Sequence, residues 1–92
     1  MARPRSGPRV LITDGEQRAA LALVRSLGAA GYRCVVCSAS GRSLAGVSRY
    51  AEGEHAVPDA GDSPSAFSGA IHEIVRRGEV QLVFPVSEAS LL

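Results

Sequence analysis

The sequence predicts an α/β domain built on an open, all-parallel sheet of four strands in the order 3-2-1-4. Two observations carry this. Arg9 to Val36 reads as strand, tight turn, helix and strand in fewer than thirty residues. That is a βαβ unit, which favours parallel pairing and a right-handed crossover. A second strand–helix–strand pattern follows between His55 and Pro85, so strands and helices alternate along the chain.

Taken in order, Arg9-Val-Leu-Ile-Thr13 is the first strand, and Asp14-Gly15 turns the chain. Glu16 to Ala30 is an amphipathic helix, with Ala20, Leu23, Val24, Leu27 and Gly31 on one stripe. Thr13-x-x-Glu16 and Asp14-x-x-Gln17 both resemble capping boxes, and Gly28 and Gly31 act as stop signals. Gly31-Tyr32 leads into the second strand, Cys34 to Ser38. Ala39 to Ala51, rich in Ser, Gly and Arg, is a loop with one helical turn around Ser43 to Gly46. His55-Ala-Val57 is the third strand, closed by Pro58-Asp59.

Asp59 to Ser65 is a second loop. It ends with Asp62 or Ser63 as N-cap and Pro64 at the first helical position. The second helix runs to Arg77, with Phe67, Ala70, Ile71, Ile74 and Val75 as its apolar stripe. Glu73 and Arg77 pair at i,i+4, and Gly78 stops the helix. Leu82 to Pro85 is the fourth strand, and Ser87 to Leu92 reads as the first turns of another helix. This element order is Rossmann-like, with helices on both faces and the reversal of strand order between strands one and four.

Composition narrows the function. Ninety-two residues make one small domain. The net charge of +1 gives no electrostatic case for nucleic acid or an anionic membrane. All ten basic residues are arginine, which excludes a catalytic lysine, a Schiff base and a P-loop lysine. No apolar run approaches the roughly 18 residues that span a bilayer. Residues 1–8 are basic and Pro/Gly-rich without the apolar stretch of a secretory signal, so they read as a disordered tail and the protein as cytoplasmic. The chain closes on Leu91-Leu92 with no cap, and a four-stranded sheet needs a further helix over its apolar face. Residues 9–92 are therefore expected to be the N-terminal domain of something longer, incomplete at the C-terminus.

In open parallel sheets, ligands bind beyond the carboxyl ends of the strands. Here those ends carry Thr13 to Gln17, Ser38 to Ser43, and Val86 to Glu88. A dinucleotide site needs several glycines and a helix start free for an anion. Thr13-Asp-Gly-Glu-Gln-Arg18 offers one glycine and two carboxylates, which repel phosphate. Asp14, Glu16 and Glu88, with the hydroxyls of Thr13 and Ser87, instead suit an amine, a guanidinium, sugar hydroxyls or a cation. The plainer alternative is that each acid only caps a helix. Ser38, Ser40 and Arg42 form a weaker candidate for the 2′-phosphate of NADP, in an oxidoreductase or sugar-epimerase half-domain, with a solvated Ser/Gly loop as the rival.

Cys34 and Cys37 form a CxxC, but positions i and i+3 of a strand face opposite ways, so the thiols are structural and apart. His55 and His72 lack partners at ligand spacing, and no metal site or catalytic signature is expected. A non-catalytic, flavodoxin-like regulatory module is a further alternative, although a receiver site would need a lysine.

Several phrases carry a resemblance. Val10-Leu-Ile-Thr-Asp-Gly-Glu-Gln-Arg-Ala-Ala-Leu-Ala-Leu-Val-Arg-Ser-Leu-Gly28, Gly31-Tyr-Arg-Cys-Val35, Ser48-Arg-Tyr50, Val57-Pro-Asp59 and Val83-Phe-Pro-Val-Ser-Glu-Ala-Ser-Leu-Leu92 resemble the start of ATP-grasp carboxylate–amine ligases. The resemblance implies a pre-ATP-grasp domain of Rossmann-like form, preceding the domain that binds ATP and magnesium. It implies a reaction in which a carboxylate is activated as an acyl phosphate and attacked by an amine or a thiol. It implies that Thr13, Asp14, Gly15, Glu16, Arg18, Ser87 and Glu88 face the cleft and hold a small carboxylate or amine substrate. ATP and magnesium would then be bound by the downstream domain, and this chain alone would be inactive.

Overall fold

The structure, a computed structural model, describes residues 7–86. Its elements are β1 (Arg9–Ile12), α1 (Arg18–Ala29), β2 (Arg33–Ser38), β3 (Ala51–Ala56), α2 (Pro64–Gly78) and β4 (Leu82–Phe84). All strand pairings are parallel and the order is β3-β2-β1-β4, as the sequence predicts.

Strand β1 is central because all of its apolar residues have a covered face to turn to. Val10 and Ile12, with Cys34 and Val36 of β2, pack under Ala20 and Val24 of α1. Leu11, with Val35 and Cys37, packs on the opposite face under Phe67, Ala70, Ile71 and Ile74 of α2. The helices thus cover opposite faces, and every expected residue of the second helix's stripe meets the core. Each fully buried Val, Leu or Ile contributes roughly 1.5–3 kcal/mol. Cys34 lies in one core layer and Cys37 in the other, both as buried thiols outside any disulfide, as their spacing on a strand requires. Exposed Glu73 pairs with Arg77, at 2.5 Å, and with Arg76, at 2.8 Å.

Several boundaries differ from expectation: α2 takes in Gly78, the expected stop, with the left-handed cap on Glu79 at a φ of +53°, and four further differences have a local reason. Helix α1 starts at Arg18, because Asp14 to Gln17 form a turn closed by the Gln17 N–H donating to the Asp14 carbonyl at 2.9 Å. Gln17 is the N-cap and makes no side-chain cap bond, and Ser63 makes none for α2. Gly28 is no stop signal. It is buried inside α1, and a Cβ there would sit 2.6 Å from the Cβ of Tyr50. The turn after α1 falls at Gly31, whose φ of +100° is open to glycine at no steric cost.

Strand β3 covers Ala51–Ala56 and begins four residues before the expected His55. Ala-Glu-Gly-Glu-His-Ala holds no β-branched residue, so its strand character comes from pairing with β2 and not from propensity. The register slips between Cys34 and Val35. Finally, Gly7 and Pro8, read with the tail, are tied to the chain after α1. The Gly7 N–H donates to the Gly31 carbonyl and the Arg33 N–H to the Pro8 carbonyl, both at 3.0 Å. Residues 1–6 of that tail, and the helix expected over Ser87 to Leu92, lie outside the described residues.

Candidate functional site

The carboxyl ends of the strands form one rim. Ile12 pairs with Phe84, and the Thr13 N–H donates to the Phe84 carbonyl at 3.1 Å. The buried Thr13 hydroxyl accepts the Val86 N–H at 2.9 Å and lies 2.5 Å from Asp14 Oδ2, to which it donates. The turn after β1 and the segment leaving β4 are therefore adjacent. Ser87 and Glu88, expected at this point, lie outside the described residues.

Asp14 holds a φ of +57°, a left-handed conformation that Asp tolerates better than most residues. Gly15 follows with both backbone polar groups engaged: its N–H donates to the Cys37 carbonyl at 3.1 Å and its carbonyl accepts from the Ala45 N–H at 3.0 Å. A Cβ at Gly15 would lie 2.6 Å from Val36 and collide with the Ser43 hydroxyl. The single glycine of the turn thus lets the backbone press against the sheet and the loop after β2. It does not open a cradle for phosphate.

Glu16 does not cap α1. Its exposed carboxylate accepts two bonds from Ser40, from the hydroxyl at 3.0 Å and from the backbone N–H at 3.2 Å. The capping explanation therefore fails for this acid, which joins two loops across the rim. Arg18 is exposed on the first turn of α1 and does not line the rim cleft.

That cleft lies between the ends of β1, β2 and β3, with Asp14, Glu16, Cys37, Ser38 and Asp59 on its walls. Its volume of about 40 Å³ is far below the roughly 300 Å³ at which small-molecule pockets begin. Asp59, which is not among the sequence candidates, follows β3 and so obeys the same strand-end rule. Its Oδ1 accepts the Gly61 N–H at 2.7 Å. Burial pushes the Cys37 thiol up to about 12, and the charges of Asp14, Glu16 and Glu54 add to this against a backbone hydrogen bond from Asp14. The thiol is therefore protonated at neutral pH and is no nucleophile. Among the described residues no group of His, Cys, Asp and Glu is arranged to hold a metal ion.

The other candidate cluster is spoken for internally. The Ser38 hydroxyl donates to Glu54 Oε2 at 2.6 Å and accepts the Gly41 N–H at 3.0 Å. The Ser40 hydroxyl donates to Glu16 and accepts the Arg42 N–H at 3.1 Å. A phosphate held by Ser38, Ser40 and Arg42 would face two carboxylates already bound to those hydroxyls. Glu54 lies in the first part of β3, ahead of the His55 start that the sequence pattern suggests. Burial alone would raise its carboxyl. Hydrogen bonds from Ser38 and Ser43, together with the Arg42 charge, outweigh burial and hold it below the usual value.

No family model, curated protein or solved structure matches this chain. Among the described residues, no helix is long and apolar enough to cross a membrane. The functional reading therefore rests on the rim itself, which among the described residues is acidic and rich in hydrogen-bond acceptors.

Proposed function

We propose that this chain is the N-terminal, substrate-side domain of an ATP-dependent carboxylate–amine or carboxylate–thiol ligase, inactive in isolation. The observation that carries the reading is the Thr13–Val86 hydrogen bond, which brings the turn bearing Asp14 and Glu16 beside the segment leading to Ser87 and Glu88. Carboxylates gathered on one rim attract an ammonium group and disfavour a nucleotide phosphate. The resemblance of the Val10–Gly28 and Val83–Leu92 phrases to ATP-grasp ligases points the same way. On this reading ATP and magnesium bind a downstream domain, the small carboxylate or amine meets this rim, and the protein works in the cytoplasm.

The test is a titration of the 92-residue chain followed by amide chemical shifts. Magnesium–ATP should move no resonance, whereas a panel of amino acids and diamines should shift Asp14, Gly15 and Glu16 selectively. Micromolar magnesium–ATP affinity, or amine shifts that avoid the rim, overturns the reading.

A further inference from the structure

We infer that Glu54 is a positioning residue for the rim cleft, acting through the loop after β2 to hold Ser38 and Glu16 in place. Its carboxylate lies at β3 and is not on the cleft wall. It nevertheless ties together both ends of the segment from Ser38 to Ser43. At one end it accepts the Ser38 hydroxyl at 2.6 Å. At the other it accepts the Ser43 N–H with both oxygens, at 3.1 Å to Oε1 and 2.9 Å to Oε2. Ser38 and Ser43 are both buried, so neither donor has water as a substitute partner. Midway along the segment, Ser40 makes its two bonds to Glu16. One carboxylate therefore closes the loop, and the closed loop presents the donors that orient a second, exposed carboxylate at the cleft.

Oε2 accepts from both Ser38 and Ser43, and Oε1 shares the Ser43 N–H. A glutamine has the same shape, but in either orientation of its amide an NH₂ group faces the Ser43 N–H, so Glu54→Gln loosens the closure without opening a cavity. Arg42, on the segment itself, is the charged group that stabilises the Glu54 carboxylate. The inference rests on the ligase reading only for what the cleft binds; the closure itself needs no ligand.

The experiment is amide hydrogen exchange on the full 92-residue chain. Glu54→Gln should speed exchange at Ser40, Gly41 and Ser43 by about tenfold or more relative to Val36 in β2. Glu16→Ala, which removes the one oxygen that takes both Ser40 bonds, should speed Ser40 alone. Val80→Ala, under α2 on the other face, serves as a control that lowers global stability and should not single out the segment. Unchanged exchange at Ser40 in Glu54→Gln, or a pattern matching Val80→Ala, overturns the inference.

Should Glu54→Gln not fold, Glu16→Gln provides the background for an acid titration of amide shifts. With Glu16 removed, Asp14 and Asp59 are the other described acids on the cleft wall, and each is followed by its own resonances. Ser40 and Ser43 should then share one midpoint, that of the Glu54 resonances. Separate midpoints for Ser40 and Ser43 overturn the inference. The ligase reading can fail its own titration while this result stands, because no substrate is added here.

Discussion

Thr13 and Val86, far apart along the chain, are joined by a 2.9 Å hydrogen bond from the Val86 N–H to the Thr13 hydroxyl. The hydroxyl is buried and also donates to Asp14. One small side chain thereby sets the spacing between the first turn and the segment leaving the edge strand. Thr13→Val keeps the shape and removes the acceptor. It should cost about 1–3 kcal/mol, the usual penalty for stranding a buried partner, read as a lower urea midpoint. Thr13→Ser should recover most of the loss. A Thr13→Val protein as stable as the parent would show that this bond carries no weight.

Gly28 and Gly69 should respond to alanine with opposite signs. Both lie within helices, where alanine is favoured over glycine by about 1 kcal/mol. At Gly69 an added Cβ meets nothing within 4 Å, so Gly69→Ala should stabilise by up to that amount. At Gly28 the same atom would press on Tyr50 at 2.6 Å, next to the backbone, where little can yield. Overpacking of this kind costs about 1–3 kcal/mol, so Gly28→Ala should lower the thermal midpoint. Equal shifts for the two variants would contradict the packing of Tyr50 on α1.

Glu54 should make stability depend on acid. Its folded-state pKa lies below the usual glutamate value. The stabilisation is therefore complete above that value and disappears as pH falls through the lower, folded one. Urea unfolding from pH 6 down to about pH 3 should show this slope, and Glu54→Gln should flatten it. An unaltered slope in the variant assigns the acid sensitivity to other carboxylates.

Cys37 should act in the opposite range. Its pKa rises from 9.0 to about 12 on folding, so the contribution is complete below pH 9 and is lost as pH climbs toward 12. At pH 8 iodoacetamide should label neither thiol in the folded chain, since Cys34 is buried as well. Both should react at once in urea. Fast labelling of folded Cys37 would contradict its burial.

The sheet and the faces of both helices were legible because they are written in periodicity. Val10-Leu-Ile12 and Cys34-Val-Val-Cys37 are continuous apolar runs, and Phe67, Ala70, Ile71, Ile74 and Val75 recur at helical spacing. Strand β3 was half-hidden because its six residues draw their order from β2, which local composition does not record. The strand-end rule points to Asp14, Glu16 and Ser38, which share one cleft at the ends of β1, β2 and β3, while Ser87 and Glu88 on the β4 side lie outside the described residues. What each side chain binds was not legible. The pairing of Glu16 with Ser40 and of Glu54 with Ser38 and Ser43 joins residues brought together only by the sheet. Capping boxes were the local expectation for Glu16 and Gln17, and tertiary partners displaced them for Glu16.

The two sulfurs back onto opposite sides of a single strand. An internal bridge between them would demand that β2 be unravelled first. Under oxidation the native chain should remain a reduced monomer on a non-reducing gel. Bands of higher mass would mark molecules that had already come apart, which makes cross-linking a simple gauge of how often this sheet opens.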